Sequence, residues 1–429
     1  VVGAGILLGN ITGFFRVAVG AYLLGTHARA DSLAVAMGPL DTLNSVIVNT
    51  MLFAFAPMLL LWHGNDRAAV FSRAGRVFAV ILLAISLAIA IFAPGLAGFL
   101  GPGLAPPQHD QVVWLLRLFA PATLFAGVAA IYSALLYTER RFLVPALYQT
   151  CLNGATIAAA LTLWSLFGVN GFAIGYTTGA AVQLVLTWWF SRDLRRSPRS
   201  DLRLSIAEVL AKPGMFLGYA VLISANLAAT RVFATQAGPG RAAAFDYCMR
   251  CVNVVVAYLV YPAATTLVPE IARLRGTNKT PEAYWLIDRS VGLMAAGGAI
   301  CCGIAILVRM PVIALLFERG NFTAESTRLV AAVFLGFAPS LFGGALMELI
   351  ARCFFALDRP GLPLLVALIP ISVNLAVMSV LRVEGRLSDP AMLGVGASVG
   401  LVVGFAALFA LMHFRRGATN LEPSLVEAG

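Results

Sequence analysis

Apolar runs of about 20 residues follow one another along nearly the whole chain, and that is the length needed to cross the hydrocarbon core of a bilayer. Such runs leave few folds open. A backbone in lipid has no water to bond, so a spanning segment must satisfy its own N–H and C=O groups as a helix or in a closed barrel. Continuous apolar runs, with no alternation of polar residues, select the helix. The composition agrees: 60% of the 429 residues are hydrophobic and 12% are charged, against about 25% charged in soluble domains. The sequence therefore predicts an all-α polytopic membrane protein. About twelve spans are expected, with cores near 1–25, 32–62, 77–100, 112–137, 142–167, 171–190, 214–236, 242–268, 289–308, 326–355, 361–381 and 390–413.

The net charge of +10 is carried mostly by arginines in the loops. That is a membrane-orientation pattern and not a nucleic-acid footprint. Nineteen lysines and arginines fall on the side holding both termini and eight on the other, which predicts cytoplasmic termini. The first residues are already apolar, with no Met and no basic leader. We read this as a truncated or processed start and not as a signal peptide.

The longest basic linker, 191–213, holds Arg192, Arg195, Arg196, Arg199 and Arg203 and has six expected spans on each side. The expected organisation is an N-lobe over 1–190, this cytoplasmic linker, a C-lobe over 214–414 and a polar tail over 415–429. The halves resemble each other. Phe119-Ala120-Pro121, Leu124-Phe125, Glu139-Arg140 and Pro145 are matched by Phe337-Ala338-Pro339, Leu341-Phe342, Asp358-Arg359 and Pro363, at an offset of about 218 residues. A parallel repeat is a transporter signature, with the substrate site between the halves near the midplane.

Three arginines are left over from that loop count, Arg16, Arg117 and Arg250, and are the candidates for intramembrane charge. A charge in mid-span costs about 2.5–3.5 kcal/mol on insertion scales, which points such a residue at a wet cavity or a partner. Arg16 lies well inside the first run, with Asn10 six residues earlier; snorkelling to an interface is the competing reading. On the second span Asp41, Asn44, Ser45 and Asn49 form one polar stripe, read either as interhelical hydrogen bonding or as a cavity wall. Arg250 and Asn253 share a face of the eighth span, where Asp246 is a possible structural partner of Arg250. Glu348 and Arg352 have the i, i+4 spacing of a structural pair. Gly5, Gly9 and Gly13 repeat every four residues, as close helix packing or a hinge requires.

Enzyme signals are absent from the sequence. The four histidines are scattered, and no zinc-hydrolase, phosphate-loop or nucleophile-elbow motif occurs. Cys248 and Cys251 have a redox or metal spacing with no second pair to complete a site, so all six cysteines are read as buried thiols. No catalytic group, metal or cofactor is expected.

Gly13-Phe14-Phe15-Arg16, Leu24-Gly25 and Ala30-Asp31 together resemble the N-terminal signature of the MurJ/MviN family. Leu316-Phe317-Glu318-Arg319-Gly320-Asn321-Phe322-Thr323 resembles its L-F-x-R-G-x-F-T segment, and Val268-Pro269-Glu270 the end of its eighth helix. The resemblance covers nearly the whole chain. It implies two six-helix lobes around a central cavity, as in the wider multidrug and oligosaccharide-lipid exporters. It also implies flipping of lipid II, a polyprenyl-pyrophosphate-linked sugar lipid, across the bacterial inner membrane. Members often carry two further C-terminal helices beyond the twelve expected here.

Carried over by position, Arg16, Arg250 and Asp31 match charged residues of that pattern. Asn10, Asn44, Asn49 and Asn253 stand where the pattern has charges, and Val17 replaces an acid. These seven polar residues form the candidate substrate-binding set. An amide bonds a sugar or phosphate but supplies no countercharge. A flippase for another lipid-linked glycan, of exopolysaccharide or O-antigen, therefore stays open beside lipid II. So do a cation-coupled exporter, with Asp41 as its carboxylate, and a transport-inactive scaffold for envelope biosynthesis. The expected partners are the lipid-linked sugar, membrane lipids and other envelope-synthesis proteins.

Overall fold

The computed structural model describes residues 2–51, 55–60, 64–195, 206–277, 279–357, 359 and 361–426. Among these the chain is helical and has no strand. The helices are α1 (Val2–Leu24), α2 (Ala28–Thr50), α3 (Ala56–Leu60), α4 (Gly64–Ile91), α5 (Ala93–Leu100), α6 (Pro106–Thr138), α7 (Leu143–Ala146), α8 (Tyr148–Thr162), α9 (Trp164–Phe167) and α10 (Asn170–Phe190). They continue with α11 (Ile206–Gln236), α12 (Arg241–Gly276), α13 (Thr280–Phe317), α14 (Ala324–Ala356), α15 (Gly361–Val366), α16 (Leu368–Val383) and, after two short 3-10 turns, α17 (Val395–Val426).

Seven helices among the described residues are long and apolar enough to cross a membrane: Leu7–Leu24, Asp66–Ile91, Pro106–Thr138, Pro281–Phe317, Ala324–Ala356, Gly361–Val383 and Pro390–Phe414. The expected count was higher, and the difference has local causes. The span expected at 142–167 is broken into α7, α8 and α9, of which α8 has only 15 residues. Helix α2 carries Arg29, Asp31 and Asp41, and α12 carries Arg241, Asp246, Arg250, Glu270, Arg273 and Arg275. The segment expected as a polar tail continues α17 to Val426. Arg196, Arg199 and Arg203 of the basic linker lie outside the described residues.

The chain forms two compact units. One comprises Val1–Val221, Gly238–Asp246 and Leu316–Ser326; the other comprises Leu222–Ala237, Tyr247–Leu315 and Thr327–Gly429. Two short segments from the second half of the sequence thus belong to the first unit.

In the first unit α6 packs against α2, α4 and α10. Leu115, Leu116, Phe119, Ala122 and Ala126 are buried along it. Helix α10 lies against α8 along Gly171, Gly175 and Gly179. A Cβ on Gly175 would come within 2.6 Å of the Ala155 carbonyl oxygen, so small residues every fourth position are what allow the approach. The second unit repeats the device. Helix α17 meets α16 along Gly396, Gly400 and Gly404, and a Cβ on Gly400 would sit 2.4 Å from the Pro370 carbonyl oxygen. Pro121 and Pro339 lie at the midpoints of two helices of 33 residues each, α6 and α14. The sequence repeat is therefore a repeat of elements: a long helix centred on proline, a short helix, a helix of about four turns, then a glycine-laddered helix.

Candidate functional site

Arg16 projects from the middle of α1 and its guanidinium is largely covered, with 11% of the side chain exposed. Its Nη2 donates to Oδ2 of Asp41 on α2 at 2.7 Å. The other carboxylate oxygen accepts the hydroxyl of Tyr176, on α10, at 2.9 Å. That hydroxyl in turn accepts from Nδ2 of Asn44 at 3.1 Å. The Tyr176 ring lies 5.8 Å from the guanidinium carbon and is braced edge-on by Phe119 at 5.5 Å. Three helices of the first unit are thereby joined by a network of one cation, one anion, a phenol and an amide.

This arrangement revises the sequence reading of Arg16. The side chain is not a lone charge; it is half of an ion pair. A cation taken from water and left unpaired in a low-dielectric interior is strongly unfavourable, whereas a bonded pair recovers much of that desolvation. The polar stripe on α2 supplies the counter-charge. Asn44 is buried, and its Oδ1 has no hydrogen-bond partner among the described residues.

The other candidates are distributed. Asn10 is exposed on α1, and the side chain of Asn49 lies outside the described residues. Arg250 is half-buried and Asn253 exposed, both on α12 in the second unit. Glu348 and Arg352 form the expected pair at 2.6 Å.

Asp31 is 2% exposed, and both of its oxygens are engaged. They accept the backbone N–H groups of Gly240 at 2.6 Å and Ala243 at 2.9 Å, at the start of α12. The free N–H groups of a helix start attract a carboxylate in this way. Burial pushes the Asp31 carboxyl up to about 6, against the downward pull of those N–H groups; Asp246 nearby adds to the rise. Asp31 is thus a tie between α2 and the first turn of α12, and its oxygens are committed to backbone instead of facing a ligand.

The L-F-x-R-G-x-F-T segment has a clear physical role. Asn321 donates its backbone N–H to the Tyr22 carbonyl at 2.9 Å and its Nδ2 to the Leu23 carbonyl at 2.8 Å. Gly320 has φ +61°, and a Cβ there would meet Tyr22 at 2.5 Å, so glycine is required on both counts. Phe317 stacks between Phe14 and Phe322, at 5.8 Å from each. The motif clasps the end of α1.

Sequence reasoning missed two buried asparagines. Asn153 on α8 donates to the Gly9 carbonyl at 3.2 Å and to Oγ1 of Thr12 at 3.4 Å on α1. Asn374 on α16 donates to Asn226 Oδ1 and to Thr230 Oγ1, each at 2.8 Å, on α11. All six cysteines are free thiols, and no group of three metal-binding side chains occurs among the described residues.

The helical repeat and the buried ionic network define a multi-pass, all-helical membrane protein. Residues 20–426 match the family described as Lipid II flippase MurJ. The chain belongs to that family. It is 28% identical over 400 residues to a probable lipid II flippase MurJ of Rhizobium meliloti (strain 1021), covering 87% of this chain and 73% of the relative. It is 24% identical over 428 residues to the lipid II flippase MurJ of Burkholderia cenocepacia, covering 94% and 81%. Among solved structures, a lipid II flippase MurJ in an inward closed conformation superposes with a TM-score of 0.81 at 18% identity, over 96% of this chain and 87% of the other. An inward-facing MATE-family multidrug transporter gives 0.77 at 13% identity, over 95% of each chain. The fold is therefore shared beyond the family. Arg16 lies just ahead of the family-matched region.

Proposed function

We propose that this chain is a lipid II flippase: it carries an undecaprenyl-pyrophosphate-linked cell-wall precursor across the bacterial inner membrane by alternating access. It is a transporter and not an enzyme. Its partners are the lipid-linked sugar and the surrounding membrane lipids. The observation that carries the reading is the family match over nearly the whole chain, joined to a mid-helix arginine kept in a polar network.

In this reading twelve spans form two six-helix lobes, with both termini in the cytoplasm, as the arginine bias supports. Arg16 in one lobe and Arg250 in the other are the diphosphate ligands, since a planar guanidinium bonds phosphate oxygens in pairs. Asn10, Asn44, Asn49 and Asn253 offer hydrogen bonds to sugar or phosphate. The polyprenyl tail stays in the bilayer while the lobes rock.

Complementation tests this. In a strain depleted of its own lipid II flippase, the wild-type chain restores growth and Arg16→Ala does not. Failure of the well-expressed wild-type chain supports a second reading, a flippase for another lipid-linked glycan. One observation favours that reading: Asn44, where the family pattern has a charge, is buried and bonded to Tyr176.

A further inference from the structure

The bilayer around such a transporter is full of phosphate headgroups, most of them phosphodiesters with a single negative charge. A site built on one exposed arginine would bind these as readily as the intended cargo. The network around Arg16 has a feature that addresses this. The guanidinium is already occupied: Asp41 holds it at 2.7 Å, the Tyr176 ring covers another side, and 11% of the side chain remains exposed. Asp41 is the more accessible partner, with 36% of its side chain exposed. An anion approaching the pair meets the carboxylate first and must displace it to reach the N–H donors.

We propose that Asp41 makes the Arg16 site selective, as an internal anion that a diphosphate displaces and a singly charged phospholipid headgroup does not. This rests on the reading of Arg16 as a diphosphate ligand. A phosphodiester has the same formal charge as the carboxylate and gains little by replacing it. A diphosphate carries more charge and more oxygens, and bonds a guanidinium through two of them. The cost of displacing Asp41 falls on every anion, so the weaker ligand drops out of occupancy while the stronger stays bound; exclusion of a competitor through a repulsive element is a general device. The displaced carboxylate also has somewhere to rest. Its Oδ1 keeps the Tyr176 hydroxyl at 2.9 Å, and that hydroxyl is fixed by Asn44 at 3.1 Å. With the cation withdrawn, the carboxylate's full charge falls on that hydroxyl and the bond strengthens, so Tyr176 and Asn44 lower the penalty of freeing Asp41.

The test titrates the purified full chain with undecaprenyl diphosphate and, separately, with dioleoylphosphatidylglycerol, reading bound lipid by native mass spectrometry. Wild type prefers the diphosphate. Asp41→Asn raises phosphatidylglycerol affinity by about tenfold, so that this lipid binds at concentrations where wild type leaves it unbound. Arg16→Gln loses diphosphate binding, and adding Asp41→Asn to it changes nothing further. An unchanged phosphatidylglycerol affinity in Asp41→Asn, with Arg16→Gln still impaired, overturns the proposal and leaves the arginine reading intact. Undiminished diphosphate binding by Arg16→Gln overturns both. If Asp41→Asn does not fold, Tyr176→Phe carries the test: it removes the resting place for the carboxylate, and diphosphate affinity falls about tenfold. Unchanged affinity in that variant rejects the proposal.

Discussion

Asn153 and Asn374 do the same thing in the two halves of the chain. Each is buried on a helix of about four turns, and each sends its amide N–H₂ to a threonine hydroxyl on the helix that opens its half, Thr12 for one and Thr230 for the other. The threonines are 218 residues apart, the offset of the repeat around Pro121 and Pro339. The symmetry of the chain therefore extends to individual hydrogen bonds.

These two amides should be matched in stability. Interhelical hydrogen bonds in membrane proteins contribute about 0.6 kcal/mol on average and up to about 1.7. Asn153→Ala and Asn374→Ala are each expected to cost about 1 kcal/mol and to lower the thermal midpoint in detergent by similar amounts. An unshifted midpoint for either variant contradicts the pairing.

The glycine ladders give a sharper contrast. Gly175→Leu and Gly400→Leu drive a side chain into backbone that lies 2.6 and 2.4 Å from the added Cβ, and overpacking of this kind costs about 1–3 kcal/mol or more. Gly297→Ala meets nothing within 4 Å and should be neutral or mildly stabilising, since alanine favours a helix over glycine by about 1 kcal/mol. Thermal midpoints of the three purified variants decide this, and a drop for Gly297→Ala equal to the others contradicts the packing account.

Asp31 should impose a pH dependence. Its folded-state pKa is raised to about 6 from 3.8, so the folded form binds more protons than the unfolded form between those values. Stability therefore falls as pH rises from about 4 through 6, by up to about 3 kcal/mol from this one group. Asp31→Asn cannot ionise and should flatten that slope. Asp31→Ala strips the acceptors from the α12 start and should cost about 1 kcal/mol across the range. A midpoint-versus-pH curve for Asp31→Asn that superposes on wild type contradicts this.

Much of the fold was legible because helices in lipid announce themselves by apolar length, and because the repeat around Pro121 and Pro339 is written in the residues. Span counting was less secure where a helix is polar, as α2 and α12 are, or broken, as at α7 to α9. In the candidate site Arg16, Asp41 and Asn44 were legible as polar residues within apolar spans, but their pairing was not, and Tyr176 was missed. Periodicity relates residues on one helix, whereas the partner of Arg16 is 25 residues away on the next helix and Tyr176 is 135 residues beyond Asp41. The structural role of Asp31 was not legible for a related reason. An acid in the first turn of α2 looks like a charge for its own helix end or for a ligand, yet it caps α12 more than 200 residues later. The ladders at Gly171 to Gly179 and Gly396 to Gly404 went unread, although their spacing of four is the same signal that marked Gly5, Gly9 and Gly13.

The claim on which the functional account depends is that the Arg16 guanidinium handles the diphosphate of the cargo. The direct measurement is flipping itself, with purified protein in vesicles and a fluorescent lipid II analogue read by its accessibility to an external quencher. Wild type should accelerate the exchange between leaflets, and Arg16→Gln, reconstituted folded and at the wild-type amount, should fall to the rate of protein-free vesicles. Flipping by Arg16→Gln at the wild-type rate would contradict the account.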